Sequence, residues 1–140
     1  MSESRMMPYL LLDPSDILHL YYTSLYGGDL CAVKELMTQE SYFMTLETFG
    51  LRLSLRDAEF KAQLKKIQED PDALDEVENK LSIDLIMRKR SPKIEILSQK
   101  WNGAKRQTIE YTEDGKSKKL YFSKEESGWK INYYAGRKVD

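Results

Sequence analysis

The chain has one cysteine, one histidine and no long apolar run. A lone cysteine, Cys31, can close no internal disulfide and build no thiolate metal cage, so neither holds the fold together. A small buried apolar role is the expectation for it. A lone histidine, His19, gives no histidine-based metal site. Nowhere do the 18 or so successive apolar residues of a membrane-spanning helix occur. The opening MSESRMMPYLLLDP offers about six apolar residues before Asp13 and Pro14, fewer than a secretory leader needs. These absences point to a cytoplasmic protein. No phosphate loop, dinucleotide fingerprint, serine-nucleophile elbow or zinc-helix motif is present. No metal or cofactor is expected.

What is present fits one ordinary domain. The chain has 140 residues, of which 41% are hydrophobic, enough to build a core. The 22 basic residues nearly balance the 23 acidic ones, for a net charge of −1. That balance argues against a surface devoted to nucleic acid and leaves room only for a local patch. Residues 1–12 read as a tail packing through Tyr9, Leu10, Leu11 and Leu12. Residues 13–140 read as a single domain.

Helices come first. Asp13 can cap a helix with Pro14 at its first position, and Asp16 lies near the positive dipole end. Ile17, Leu20, Tyr21, Ser24 and Leu25 share one face, and Gly27–Gly28 end it. Asp29 caps a short second helix with Leu30, Val33, Leu36 and Met37 as its stripe. Residues 40–54 read two ways: a strand, from the alternation of Tyr42, Met44 and Leu46, or a helix leading to Gly50. RDAEFKAQLKKIQ is helical by period, with Pro71 breaking it. Another helix is expected after a cap at Asp72, carrying Leu74, Val77, Leu81, Leu85 and Ile86.

After Pro92 the period changes to two. Gln107, Ile109 and Tyr111 share a face, as do Leu120 with Phe122, and Trp129 with Ile131 and Tyr133. Asn102-Gly103 and Asp114-Gly115 are two-residue hairpin signals, because both turn positions need positive φ. KEESG (124–128) is a looser third turn. Leu97 and Trp101 fall out of step with Ile94 and Ile96, which predicts a bulge near Leu97. The fold class is α+β, with N-terminal helices packed on a curved, four-stranded antiparallel meander.

Two segments, SLYGGDLCAVKELMT (24–38) and KKLYFSKEESGWKINYY (118–134), resemble the first helical corner and the final hairpin of the nuclear transport factor 2-like superfamily. The closest look is to small bacterial members with a Gly-Lys segment before the penultimate strand, here Asp114-Gly115-Lys116. The helical segments between about 55 and 90 exceed what the simplest members need. The resemblance implies a cystatin-like cone: a bent sheet wrapped around helices, a pocket at the wide end, and dimerisation through the outer sheet face. Members include dehydratases, isomerases, cyclases and many binding or accessory domains, so fold alone does not choose among them.

Nine tyrosines in 140 residues are the unusual feature. In such a cone Tyr21, Tyr111, Trp129 and Tyr133 would line a pocket for a small apolar or aromatic ligand. Tyr121 and Tyr134 face the other way and would join a homodimer interface. His19 is the one acid–base candidate by residue type, yet it shares a face with Asp16, Thr23 and Tyr26, away from the apolar stripe. The acids of EDPDALDEVE lack the glycine and terminal Glu spacing of a calcium loop and suit a helix start. The basic cluster Arg88, Lys89, Arg90 and Lys93 could bind phosphate or nucleic acid, or complement a helix C-terminus.

Three readings follow. The first is a non-enzymatic, homodimeric small-molecule-binding or protein-interaction accessory domain. The second is a small lyase or isomerase using His19 or a first-helix tyrosine. The third is a phosphate or nucleic-acid binder acting through residues 88–93.

Overall fold

Asp13 begins the first helix as expected: its carboxylate accepts the Asp16 amide while Asp16 reaches back to the Asp13 amide, a reciprocal capping box. The structure, a computed structural model, describes residues 12–135. Tyr9, Leu10 and Leu11 of the expected tail lie outside the described residues, whereas Leu12 packs against the core. Five helices precede four strands among the described residues: α1 (Pro14–Tyr26), α2 (Leu30–Glu35), α3 (Gln39–Ser54), α4 (Ala58–Leu64), α5 (Pro71–Met87), β1 (Ile94–Trp101), β2 (Arg106–Glu113), β3 (Lys116–Glu125) and β4 (Gly128–Ile131). The fold class is α+β, with the helices packed on a curved antiparallel sheet.

The buried face of α1 is wider than its apolar stripe suggested. Leu18, Tyr22 and Tyr26 are buried beside Ile17, Tyr21 and Leu25, whereas Leu20 is only half-buried. The helix is wedged between α5 and the sheet, so it needs two buried flanks. The sharp turn into α2 places Gly28 at φ 74° directly under Ile86 of α5. Ser82 Oγ donates to the Gly28 carbonyl at 2.6 Å, fastening that corner to α5.

Residues 39–54 form a helix, resolving the two readings of that stretch. Thr38 caps it, and Ser41, Tyr42, Thr45 and Leu46 bury at helical spacing. Gly50 does not end α3. It sits in the interior of the helix, where a Cβ would come within 3.1 Å of the Phe60 ring, so the missing side chain admits α4. The next helix also starts earlier than expected. Asp70, not Asp72, is its cap, accepting from the Asp72 and Ala73 amides, with Pro71 at the first position where no N–H is needed.

The sheet is a meander in the order β1-β2-β3-β4. Its register shifts between Ile96 and Ser98, which places the expected bulge at Leu97. Asp114 (φ 52°) and Gly115 (φ 85°) make the two-residue turn the sequence indicates. The other turn differs: only Gly103 has positive φ, and a four-residue loop spans 102–105. Beyond Ile131 the chain leaves β4, and the turn after α2 runs alongside that strand. Thr38 N donates to the Ile131 carbonyl at 2.9 Å, and Ile131 N to the Leu36 carbonyl at 2.8 Å. One sheet edge is thereby covered. Ile109, Phe122 and Ile131 close the core from the sheet side. Cys31, expected to be buried, is exposed: the stripe of α2 turns Leu30 and Val33 inward and leaves Cys31 outside.

Candidate functional site

Between α1, the C-terminal half of α3 and the helix-facing rows of β2 and β3 lies an open cleft of about 600 Å³. Period two explains the sheet side: Tyr111, Glu113 and Leu120 belong to the rows that face the helices. On α3, Met44, Thr48 and Phe49 border the cleft one turn apart, and Arg52 continues the same face. The helices cover β2 and the far half of β3 but not its first residues, and the cleft opens there.

The cleft wall is held by two chains of hydroxyl groups. Tyr22 Oη lies 2.7 Å from Tyr111 Oη and 3.1 Å from Glu113 Oε1. A carboxylate can only accept, so the Tyr22 proton goes to Glu113 and Tyr111 donates to Tyr22. In the second chain, Thr45 Oγ1 donates to the Ser41 carbonyl at 3.0 Å. Tyr133 Oη then donates to Thr45 (3.0 Å), and Tyr21 Oη donates to Tyr133 (3.1 Å). All four phenol protons are thus committed within the protein. The oxygens of Tyr21 and Tyr111, at the head of each chain, retain only acceptor capacity.

Burial is the leading reason that Tyr21, Tyr22, Tyr111 and Tyr133 resist ionisation. Tyr111 is pushed up to about 12. All four are neutral at physiological pH. Glu113, whose side chain is only 7% exposed, is compensated by two cations: Lys118 Nζ at 2.7 Å from Oε1 and Arg90 at 3.3 Å from Oε2. Arg90 also binds Asp114 at 2.7 Å and lies over the Tyr26 ring. Asp114 is held below the usual carboxylate range, first by the Lys93 amide it accepts and then by Arg90.

Of the residues expected to line a pocket, Tyr21, Tyr111 and Tyr133 meet at this cleft. Trp129 does not. It lies against Trp101, edge to face with ring centroids 5.6 Å apart, with the Lys124 ammonium over its ring. The row carrying Trp129 continues toward Lys124 and the third turn, away from the open end of the sheet. Tyr121 is half-buried on the opposite row of β3 and borders both the cleft and a smaller groove with Asn102, Arg106 and Thr108. Tyr134 is half-buried just beyond β4, its amide bonded to Asn132 Oδ1 at 3.0 Å. Large exposed apolar side chains lie elsewhere, among them Leu97 and Trp101 on β1, Leu55 just past α3, and Leu51, Ile83 and Met87 on α3 and α5. His19 is exposed on α1, outside the cleft, beside a shallow groove with Thr23, Ser91 and Pro92. Among the described residues no cluster of His, Cys, Asp or Glu could hold a metal ion. Nor is any helix of the described residues long and apolar enough to cross a membrane.

Sequence reasoning missed Glu113, Lys118, Arg52 and Thr48. Glu113 was within reach: it continues the Gln107–Ile109–Tyr111 alternation by one more step, and its charge concealed its place on an inward row. Arg88 and Arg90 stood out only as a basic run. Arg88 in fact pairs with Asp84 at 2.7 Å and donates to the Phe49 carbonyl at 2.9 Å, joining α5 to α3. No known protein family, curated protein or solved structure matches this chain.

Proposed function

We propose that this chain is a binding domain whose cleft receives one small, flat, largely apolar or aromatic molecule between tyrosine and phenylalanine rings. The observation that carries this reading is the cleft itself: about 600 Å³, open to solvent, and walled by Tyr21, Tyr22, Tyr26, Phe49, Tyr111 and Tyr133. That size falls in the range of small-molecule sites, and the half-buried rings of Phe49 and Tyr133 offer contact area at little entropic cost. The segments 24–38 and 118–134 support the same reading, since a domain of the nuclear transport factor 2-like kind would hold its ligand in such a mouth.

Binding is favoured over proton-transfer catalysis by the state of the polar groups. A general base must be free to take a proton near neutral pH. Here the phenols are pushed up by burial, the Glu113 carboxylate is saturated by Tyr22, Lys118 and Arg90, and His19 stands outside. The basic run 88–93 supports a phosphate or nucleic-acid surface less well, because Arg88 and Arg90 are bound to Asp84, Glu113 and Asp114.

The test is a fluorescence titration with phenylnaphthylamine, a neutral aromatic probe, on the wild type and on Thr48→Trp. Thr48 is exposed on α3 at the cleft border, so an indole there fills the cleft without entering the core. Saturable binding in the wild type that the substitution removes is the expected outcome. Equal binding by both proteins would place the probe elsewhere and end the reading.

A further inference from the structure

The charges around the cleft are uneven. Five cations border it, Arg52, Arg88, Arg90, Lys118 and Lys119, against the single carboxylate of Glu113. Four of the five are engaged: Arg88 by Asp84, Arg90 by Glu113 and Asp114, Lys118 by Glu113, and Lys119 by Glu110. Arg52 is not. Among the described residues its guanidinium has no ion pair and no side-chain hydrogen bond. Its place in the last turn of α3 complements the negative end of that helix, which accounts for a cation there but leaves its donor fork unused.

The hydroxyl chains add a second, independent constraint. The four phenols of these chains point their protons into the protein, so Tyr21 and Tyr111 offer a ligand only oxygen lone pairs. A negative group would be repelled by those lone pairs and by Glu113. It is best placed at the α3 rim, where the unpaired planar guanidinium of Arg52 can bind an oxyanion through two parallel hydrogen bonds. The cleft is therefore polarised: an acceptor-lined aromatic wall on the side of α1 and β2, and a cationic rim at Arg52.

Resting on the binding reading above, we propose that the ligand is an aromatic anion, a flat ring system carrying a carboxylate, sulfonate or phosphate that pairs with Arg52 while the rings lie against the tyrosines. The rim then sets selectivity by charge, and the wall sets it by shape.

Two fluorescent probes with the same ring skeleton test this: anilinonaphthalene sulfonate and its neutral parent phenylnaphthylamine. Each is titrated into the wild type, Arg52→Gln, Arg52→Lys and Thr48→Trp. Gln and Lys are good helix formers, so both Arg52 variants retain α3, and thermal unfolding by circular dichroism verifies it. The wild type is expected to prefer the sulfonate by roughly tenfold, the scale of one charge-assisted pair. Arg52→Gln brings that ratio close to one, Arg52→Lys keeps part of it, and Thr48→Trp removes the saturable signal of both probes. If the neutral parent binds as tightly as the sulfonate, or if the ratio survives Arg52→Gln, the anion proposal is overturned while the cleft remains the binding site. If Thr48→Trp alters neither titration, the cleft reading fails and takes the anion with it.

Discussion

Tyr22 Oη donates to Glu113 Oε1 across 3.1 Å, tying the middle of the first helix to the end of the second strand. The same oxygen accepts from Tyr111, so one phenol serves a buried carboxylate and a buried hydroxyl together. Replacing Tyr22 by Phe removes both. Glu113 loses a donor and the Tyr111 proton loses its acceptor in a wall that water reaches poorly. A loss of about 1–3 kcal/mol is expected in urea unfolding. A change within the scatter of the measurement would show that solvent satisfies both groups and that the chain is not a wall.

The buried tyrosines give the domain an alkaline limit. Each has a folded-state pKa raised above its ordinary value of 10, chiefly by burial. The sign follows from linkage: the unfolded chain releases these protons first, so their contribution is complete below pH 10 and declines as pH rises toward and through the Tyr111 value of about 12. Stability between pH 7 and pH 9 should show no tyrosine-linked decline. It should fall above about pH 10 as the phenolate absorbance rises. Ionisation of all nine tyrosines in the folded protein below that point would contradict the burial.

Gly28 is the position where a single methyl should do the most damage. At φ 74°, a Cβ would stand 2.6 Å from two carbons of Ile86 and 3.0 Å from the Ser82 carbonyl oxygen. Gly28→Ala therefore meets both left-handed strain and overpacking, at a combined cost of about 2–4 kcal/mol. Gly115→Ala is the control. It has a similar positive φ of 85° but nothing within 4 Å, so only the strain of about 1–2 kcal/mol applies. Equal losses for the two would mean that the α2–α5 corner gives way easily.

Lys89 offers the opposite sign. It takes a left-handed φ of 50° just past the end of α5, where glycine is the unstrained choice. Lys89→Gly should raise stability by up to about 1 kcal/mol in chemical denaturation. A loss would show that the lysine side chain contributes more than its backbone strain costs.

How far the sequence revealed this molecule depends on the range of the physics involved. Period two and the Asp114-Gly115 turn carried the sheet, including the bulge at Leu97, because strand alternation and positive φ are local properties. Asp13, Pro14 and Asp29 marked helix starts for the same reason. The stretch 39–54 was ambiguous because its decisive feature is tertiary: Gly50 serves Phe60, ten residues on, and not its own helix end. Cys31 was misplaced because a six-residue helix turns away from the core as readily as toward it. In the cleft, the tyrosines were visible as a class. Their partners were not, because Glu113 and Arg52 read as ordinary surface charges until the helices and the sheet bring them opposite the rings.

The most direct measurement is amide chemical-shift mapping of the labelled protein with phenylnaphthylamine. The expected result is that shifts concentrate at Tyr21, Met44, Thr48, Tyr111 and Leu120, which the fold brings together around one cleft. Shifts confined to Leu97 and Trp101, or to Leu51, Ile83 and Met87, would assign the probe to the exposed apolar surface and contradict the cleft as the site of function.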